Sequence, residues 1–249
     1  DIESITTLNG SSAAALYGSR ASNGALIVTT KKGTSGKPSL TISQTFTRSN
    51  VSFYPKLQKK FGSGSNGYFK VYDPGENQQY GPAFVGSLVD LGEYPLPGGE
   101  LQKVKYQFDE KEGKLNFYQP ELSSQTDLSI SAPTGKGRVY FSGQFVTNNG
   151  VIKGDKYSRA AVSVGGSQKV LDNFDFDYSI RYTQNYTRQA TAANSIYELI
   201  LNSPGHAPVT RYENWQVDSF AMPNYYYNSY YNNPYFLKDN NRSLSRNEY

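Results

Sequence analysis

The 249-residue sequence has no cysteine and only one histidine, one methionine and one tryptophan. The missing cysteines exclude disulfides, thiolate catalysis and sulfur-based metal sites. With only His206 there is no histidine pair to ligate a metal, and the residue sits in Ser203-Pro204-Gly205-His206-Ala207-Pro208, a turn context that reads as a solvated loop and supports no catalytic triad. No run of about 18 apolar residues occurs, which excludes a transmembrane helix and leaves a soluble or a membrane β-protein. The 25 basic and 21 acidic residues are too evenly balanced to indicate nucleic acid as a partner. Long aliphatic stripes of helical period are scarce as well, so an ordinary α/β enzyme is a poor fit.

Tyrosine, by contrast, is abundant, at 22 residues. Residues 1–33 read as a small mixed unit: a strand at 2–8, a helical turn at 11–17 and a strand at 25–30. From Lys31-Lys32-Gly33 onward the dominant period is two, which places a boundary near 33–37. In Phe174-Asp175-Phe176-Asp177-Tyr178-Ser179-Ile180-Arg181-Tyr182, the aromatic and aliphatic residues share one face and the charged residues the other. Weaker alternation predicts strands near 38–48, 124–132, 138–147 and 157–168, with the strongest strand at 174–188. Short connections alternate with long ones, notably 49–123 and 190–240, the asymmetry of outer-membrane barrels.

One segment carries a family resemblance. Asp1-Ile2-Glu3-Ser4-Ile5 followed by Ser11 to Gly33, with Tyr17-Gly18-Ser19-Arg20 and Asn23-Gly24 at its centre, closely resembles the end of the plug domain in the SusC/RagA family of TonB-linked outer-membrane proteins. Asn9-Gly10-Ser11 departs from the family's more usual Lys-Asp-Ala, although Asn9 or Ser11 can still cap a helix. The resemblance implies a mainly β chain: the end of an α+β plug domain at 1–33, then at 34–249 the first strands of an antiparallel transmembrane β-barrel of about 22 strands. On this reading 49–123 and 190–240 are long external loops, and the chain is an internal piece of a larger protein.

The resemblance also implies a function: active import of a nutrient across the bacterial outer membrane, with an oligosaccharide first and a peptide second as substrate. Its partners would be the TonB complex, outer-membrane lipid and a SusD-like surface lipoprotein acting as a lid. The alternative is a plugged barrel that transports nothing and serves as a structural component of an outer-membrane assembly. No enzyme, cofactor or metal site is expected. Gly62-Ser63-Gly64-Ser65-Asn66-Gly67 matches a dinucleotide fingerprint but lacks its strand and helix, so a flexible loop is expected. Asp109, Glu110 and Glu112 read as a solvated cluster. Candidate substrate or partner contacts are Trp215, Tyr225, Tyr226, Tyr227, Tyr230 and Tyr231, since tyrosine rings stack on sugars and their hydroxyls hydrogen-bond. Asp175, Asp177 and Arg181 are candidate lumen-facing charges, and Arg20 reads first as a local turn contact, with pairing to Asp175 or Asp177 as its functional alternative.

Overall fold

The computed structural model describes residues 2–65, 71–221, 226 and 232–249. The N-terminal unit pairs Ile2–Leu8 (β1) antiparallel with Ala25–Thr30 (β2), and the helix Gly10–Tyr17 (α1) closes the connection with Ala13 buried beneath it. Asn9 occupies the position that precedes this helix, but its side chain makes no capping hydrogen bond. The helix ends at Gly18, whose N–H donates to the Ala14 carbonyl over 2.9 Å.

The remaining strands, in chain order, are Ser39–Ser49 (β3), Leu88–Leu91 (β4), Gln102–Lys105 (β5), Glu121–Thr134 (β6), Gly137–Asn149 (β7), Lys156–Leu171 (β8), Phe174–Ala190 (β9) and Arg242–Glu248 (β10). Six of them form one antiparallel sheet in the order β10-β9-β8-β7-β6-β3, while β4 and β5 form a separate hairpin. The described residues are thus mainly β and antiparallel. β6 to β9 run for 14, 13, 16 and 17 residues. Crossing a bilayer takes only about 9–11 residues, so these strands continue well past that length.

Register separates two faces. Leu40, Ile130, Phe141, Val164 and Ile180 form one row across five strands, and Ile42, Leu128, Gly143, Val162 and Tyr182 form the next. These side chains point away from the N-terminal unit, and Ile42 and Ile180 are 67% and 70% exposed. An apolar belt of this extent is far larger than the scattered apolar exposure of a soluble surface and suits contact with hydrocarbon. The intervening rows, Thr41-Ser129-Ser142-Ser163-Arg181 and Ser43-Asp127-Gln144-Ala161-Thr183, are polar and face the N-terminal unit. Amides on the apolar face are met within the sheet: Gln44 donates to Ser124 over 3.0 Å and accepts from Thr126, and Gln184 donates to Glu248 over 2.8 Å.

Such a wall has no interior of its own. The hydrophobic core lies instead beyond one end of the sheet, where residues from 50–120 and 191–241 pack together around Leu91, Phe117, Ile196, Ile200, Val209, Tyr212, Phe220 and Tyr226. The helix Ala193–Asn202 (α2) contributes Ile196, Leu199 and Ile200, one buried stripe at helical spacing. The helix Pro234–Asn240 (α3) starts at Asn233, whose side chain accepts from the Tyr235 N–H over 2.9 Å, with Pro234 in the first turn, where a missing N–H costs nothing. The two long connections therefore fold as one unit rather than as separate loops.

The two faces make a direct prediction. If the apolar belt meets lipid, Ile180→Arg in the full-length protein should destabilise the fold by about 2–4 kcal/mol, whereas Ser179→Arg on the neighbouring polar face should cost far less. Urea titration of protein folded into vesicles distinguishes them, and equal losses would show that the apolar belt does not meet lipid.

Candidate functional site

The segment leaving β2 runs along the polar face of the sheet. Gly33 has φ 99°, a backbone region that favours glycine, and a Cβ there would stand 2.4 Å from the Val139 carbonyl oxygen. Gly165 on β8 lies under the Lys31 carbonyl, where a Cβ would come within 3.2 Å of that oxygen. The Thr34 N–H donates to the Ser131 hydroxyl over 2.7 Å, and the Lys32 ammonium pairs with the Asp177 carboxylate. Two glycines therefore let the backbone approach the wall, and a hydrogen bond and an ion pair fix it there.

This arrangement corrects the pairing alternative for Arg20. The partner of Asp177 is Lys32, not Arg20, because Arg20 sits in a single 3-10 turn at Ser19–Ala21, exposed, while Lys32 lies where the chain reaches the wall. Asp175, Asp177 and Arg181 do share the polar face of β9. They do not form one ladder: Asp175 stands near the β6–β7 turn with Lys136, Arg138 and Lys169, and Arg181 lines a different depression.

That depression is a cleft of about 400 Å³ between Ile2 and Lys31 on one side and the polar rows on the other. Thr41, Ser43, Ser129 and Ser142 line it with small side chains, and Asp127, Gln144, Arg159 and Arg181 supply longer polar groups. Asp127 is held by two amides, Gln144 and Gln125, each donating over 2.7 Å to a different carboxylate oxygen.

The outer unit holds groups that the sequence left unremarked. Lys114 is 2% exposed and donates to the carbonyls of Leu201 and Ser203 over 2.8 and 2.7 Å, so a buried ammonium closes the C-terminal end of α2. Burial lowers its pKa to about 8. Asn233 donates to the carbonyls of Tyr212 and Ala221, both over 2.8 Å, joining three segments through one side chain. Arg242 reaches from β10 to Asp155 over 3.1 Å and to the Lys153 carbonyl over 2.8 Å, tying the sheet's end to the β7–β8 connection. The partners of these residues are carbonyls or carboxylates from other segments of the chain, which no local pattern announces.

His206 is a second correction. It is 1% exposed and packed edge-on against Tyr72, Phe84 and Tyr106, with centroids 5.7, 6.0 and 5.3 Å away. Its Pro-Gly setting shaped the turn, and the rings that bury it come from far earlier in the chain, Tyr72 being 134 positions away. Gly62 and Gly64 are likewise not in a flexible loop, because Phe61 bridges Ala83 and Gly64 bridges Gln79; Asn66 and Gly67 lie outside the described residues. Asp109 accepts from the Lys111 and Glu112 N–H groups and Glu110 pairs with Lys59 over 2.8 Å, which occupies two of the three acids of that cluster.

Of the candidate contact residues, Tyr226 is 1% exposed and packs against Tyr212 at 4.8 Å, so it serves the core. Trp215 is half-buried against that core, donating to Asp239 over 3.0 Å and meeting Phe236 edge-on at 5.0 Å. Tyr225, Tyr227, Tyr230 and Tyr231 lie outside the described residues. Between α2 and α3 a second cleft of about 510 Å³ is lined by Ser195, Glu198, Leu199, Asn202, Leu237 and Asn241 among others.

An antiparallel wall with an apolar and a polar face, and a small α+β unit on the polar face, define a mainly antiparallel β class, with the kind of sheet from which outer-membrane β-barrels are built. Comparison with known proteins agrees with that class. The chain is 27% identical over 248 residues to the TonB-dependent receptor SusC of Bacteroides thetaiotaomicron, a match covering 94% of this chain and 22% of that one. It is 27% identical to TonB-dependent receptor P3 of Formosa agariphila over 190 residues, covering 73% of this chain and 14% of that one. TonB-dependent receptor P39 of the same organism is 25% identical over 159 residues, covering 64% and 14% respectively. No family model matches. The chain is thus SusC-like along nearly its whole length, and it spans at most 22% of the length of these relatives. TonB-dependent receptors are outer-membrane β-barrel transporters rather than enzymes, and among the described residues no helix is long and apolar enough to cross a membrane.

Two outcomes follow. Lys32→Glu in the intact receptor should loosen the segment at 31–34 and raise the passage of small hydrophilic antibiotics, while Asp177→Lys in the same protein should restore the seal; unchanged sensitivity in the single variant would remove the anchor. Burial holds His206 neutral and lowers its pKa from 6.5 to about 4. The unfolded chain therefore binds the extra proton first, and the outer unit loses stability as pH falls from about 6.5 to about 4, by on the order of 3 kcal/mol. Hydrogen exchange of residues 203–208, corrected for intrinsic rates, should show this loss, and His206→Phe should flatten it.

Proposed function

We propose that the chain forms the end of the plug, at 1–33, and the beginning of the barrel, at 34–249, of a receptor that imports a nutrient across the bacterial outer membrane. Import would be driven through TonB, with an oligosaccharide as the first substrate class and a peptide as the second. The observation that carries this reading is the ion pair and hydrogen bond that seat residues 31–34 on the polar face of a wall whose other face is apolar. A unit seated inside such a wall obstructs its lumen, and an obstructed lumen passes cargo only when something displaces the obstruction. TonB supplies that displacement in receptors of this kind.

The residues divide the work. Lys32 and Thr34 hold the end of the plug to the wall, so the movement that opens a path belongs to the part of the plug that precedes them. The folded unit built on Tyr212, Tyr226 and Asn233 offers a rigid external surface, suited to a SusD-like lipoprotein closing over it. Trp215, beside that unit, and the amide-lined cleft between α2 and α3 are the described groups best suited to a hydroxylated ligand, because rings cover apolar sugar faces and amides pair with hydroxyls.

The test is uptake of labelled oligosaccharide by cells carrying the intact receptor. Accumulation should vanish when the receptor is deleted, and equally when TonB is deleted or the proton gradient is collapsed. Surface binding that persists with no accumulation under any condition would instead favour a plugged structural barrel.

A further inference from the structure

The cations of the apolar face are not spread along it. By register, Arg48, Lys156, Arg188, Arg242 and Arg246 all stand at the end nearest the outer unit. The rows from Leu40 to Ile180 and from Ile42 to Tyr182 hold none, and neither do the rows at the other end, Ala132-Val139-Gly166-Tyr178 and Thr134-Gly137-Gln168-Phe176. Arg242 is taken by Asp155 over 3.1 Å and Arg246 by Glu248 over 2.7 Å. Arg48, Lys156 and Arg188 remain, and they share a single row, Arg48-Leu122-Asn149-Lys156-Arg188-Leu244.

Within that row Lys156 and Arg188 are direct cross-strand partners, both exposed. Like charges placed opposite each other in an antiparallel pair repel and destabilise it. Two carboxylates border the same depression at the strand ends, and both are committed. Asp155 accepts from Arg242 and from the Ala190 N–H, while Glu121, which belongs to the polar face, accepts from Asn148. Among the described residues no ion pair reaches Lys156 or Arg188. Of the residues outside the described set only Asp1 is acidic, and its neighbour Ile2 lies against the opposite, polar face. An anion shared by the two cations removes their repulsion.

The level of the pair indicates which anion is within reach. Phe174 and Tyr186 lie on the apolar face of β9, twelve residues apart, which is about 28 Å of height at a strand tilt of about 45°. An outer-membrane barrel carries an apolar band about 25 Å tall between two aromatic girdles. Arg188 is the next residue on that face beyond Tyr186, at the level of lipid headgroups.

We propose that Lys156 and Arg188, with Asn149 beside them, bind the phosphate of a phosphorylated glycolipid headgroup in the outer leaflet, and that Arg48 extends the contact along the rim. A phosphate monoester carries about 1.5–2 negative charges and three acceptor oxygens. It matches two adjacent cations, one of them a planar fork, better than the single charge of a phosphodiester does. The proposal rests on the reading of this sheet as the wall of an outer-membrane barrel with the outer unit outside the cell.

The test uses the intact receptor in detergent, with diphosphoryl lipid A, its dephosphorylated form and phosphatidylglycerol as probes, and native mass spectrometry to count bound lipid. Lipid A should be retained in preference to both others. Lys156→Gln and Arg188→Gln should each weaken its apparent affinity about fivefold, the loss expected for one cation at an anionic surface, with Arg188→Lys weakening it less than Arg188→Gln. Lys169→Gln, near the opposite end of β8, should leave it unchanged. The proposal falls if dephosphorylated lipid A or phosphatidylglycerol binds as well as lipid A, or if both glutamine variants keep wild-type affinity. A receptor that passes the Ile180→Arg test and imports oligosaccharide without this lipid selectivity keeps its proposed function and loses the site. One that binds lipid A through Arg188 and imports nothing keeps the site and loses transport.

Discussion

Hydrocarbon offers no partner for a backbone N–H or carbonyl, and the rest of the structure depends on how the six-strand ladder meets that constraint. From β3 to β10 each strand pairs antiparallel with its neighbour over long registers, 13 residue pairs between β6 and β7 alone. Once the backbone is satisfied laterally, side chains are left to choose between two environments, and the period of two assigns them. The wall is one layer thick, and a single layer cannot hold a hydrophobic core. That is why the buried aromatic residues gather in the outer unit, where 50–120 and 191–241 pack on each other beyond the strand ends.

The polar face sets the second level of organisation. A charged or hydroxyl-bearing surface can hold another part of the chain only through specific contacts, because there is little apolar area to bury between them. Residues 31–34 meet this requirement with backbone approach at Gly33 and Gly165, one hydrogen bond at Thr34 and one ion pair at Lys32. Contacts of this sort orient without welding, since an exposed pair is weak compared with a packed core.

The outer unit follows the opposite logic. Its tyrosines are buried with their hydroxyls engaged: Tyr212 donates to Gln102, and Tyr226 meets Ser203 at 3.2 Å. Asn233 and Lys114 satisfy carbonyls where helices and turns end, so the polar groups of irregular backbone are covered inside the unit. A compact unit with its polar groups met internally results.

By itself the sequence determined the local features. Alternation in Phe174 to Tyr182 forced a two-faced strand, the segment 11–33 carried its family resemblance residue by residue, and the spacing of Ile196, Leu199 and Ile200 specified a one-sided helix. These are short-range patterns, readable because strand and helix periods repeat within a few residues. Tertiary structure alone decided the partners: Lys32 rather than Arg20 for Asp177, three distant rings around His206, Tyr226 inside the core, and Arg159 at a cleft whose floor comes from three other strands. The reason is physical. Burial and electrostatic pairing depend on which segments register across a sheet or fold back over its end, and neighbours brought together from 20 to 145 positions away leave no periodic trace in either segment.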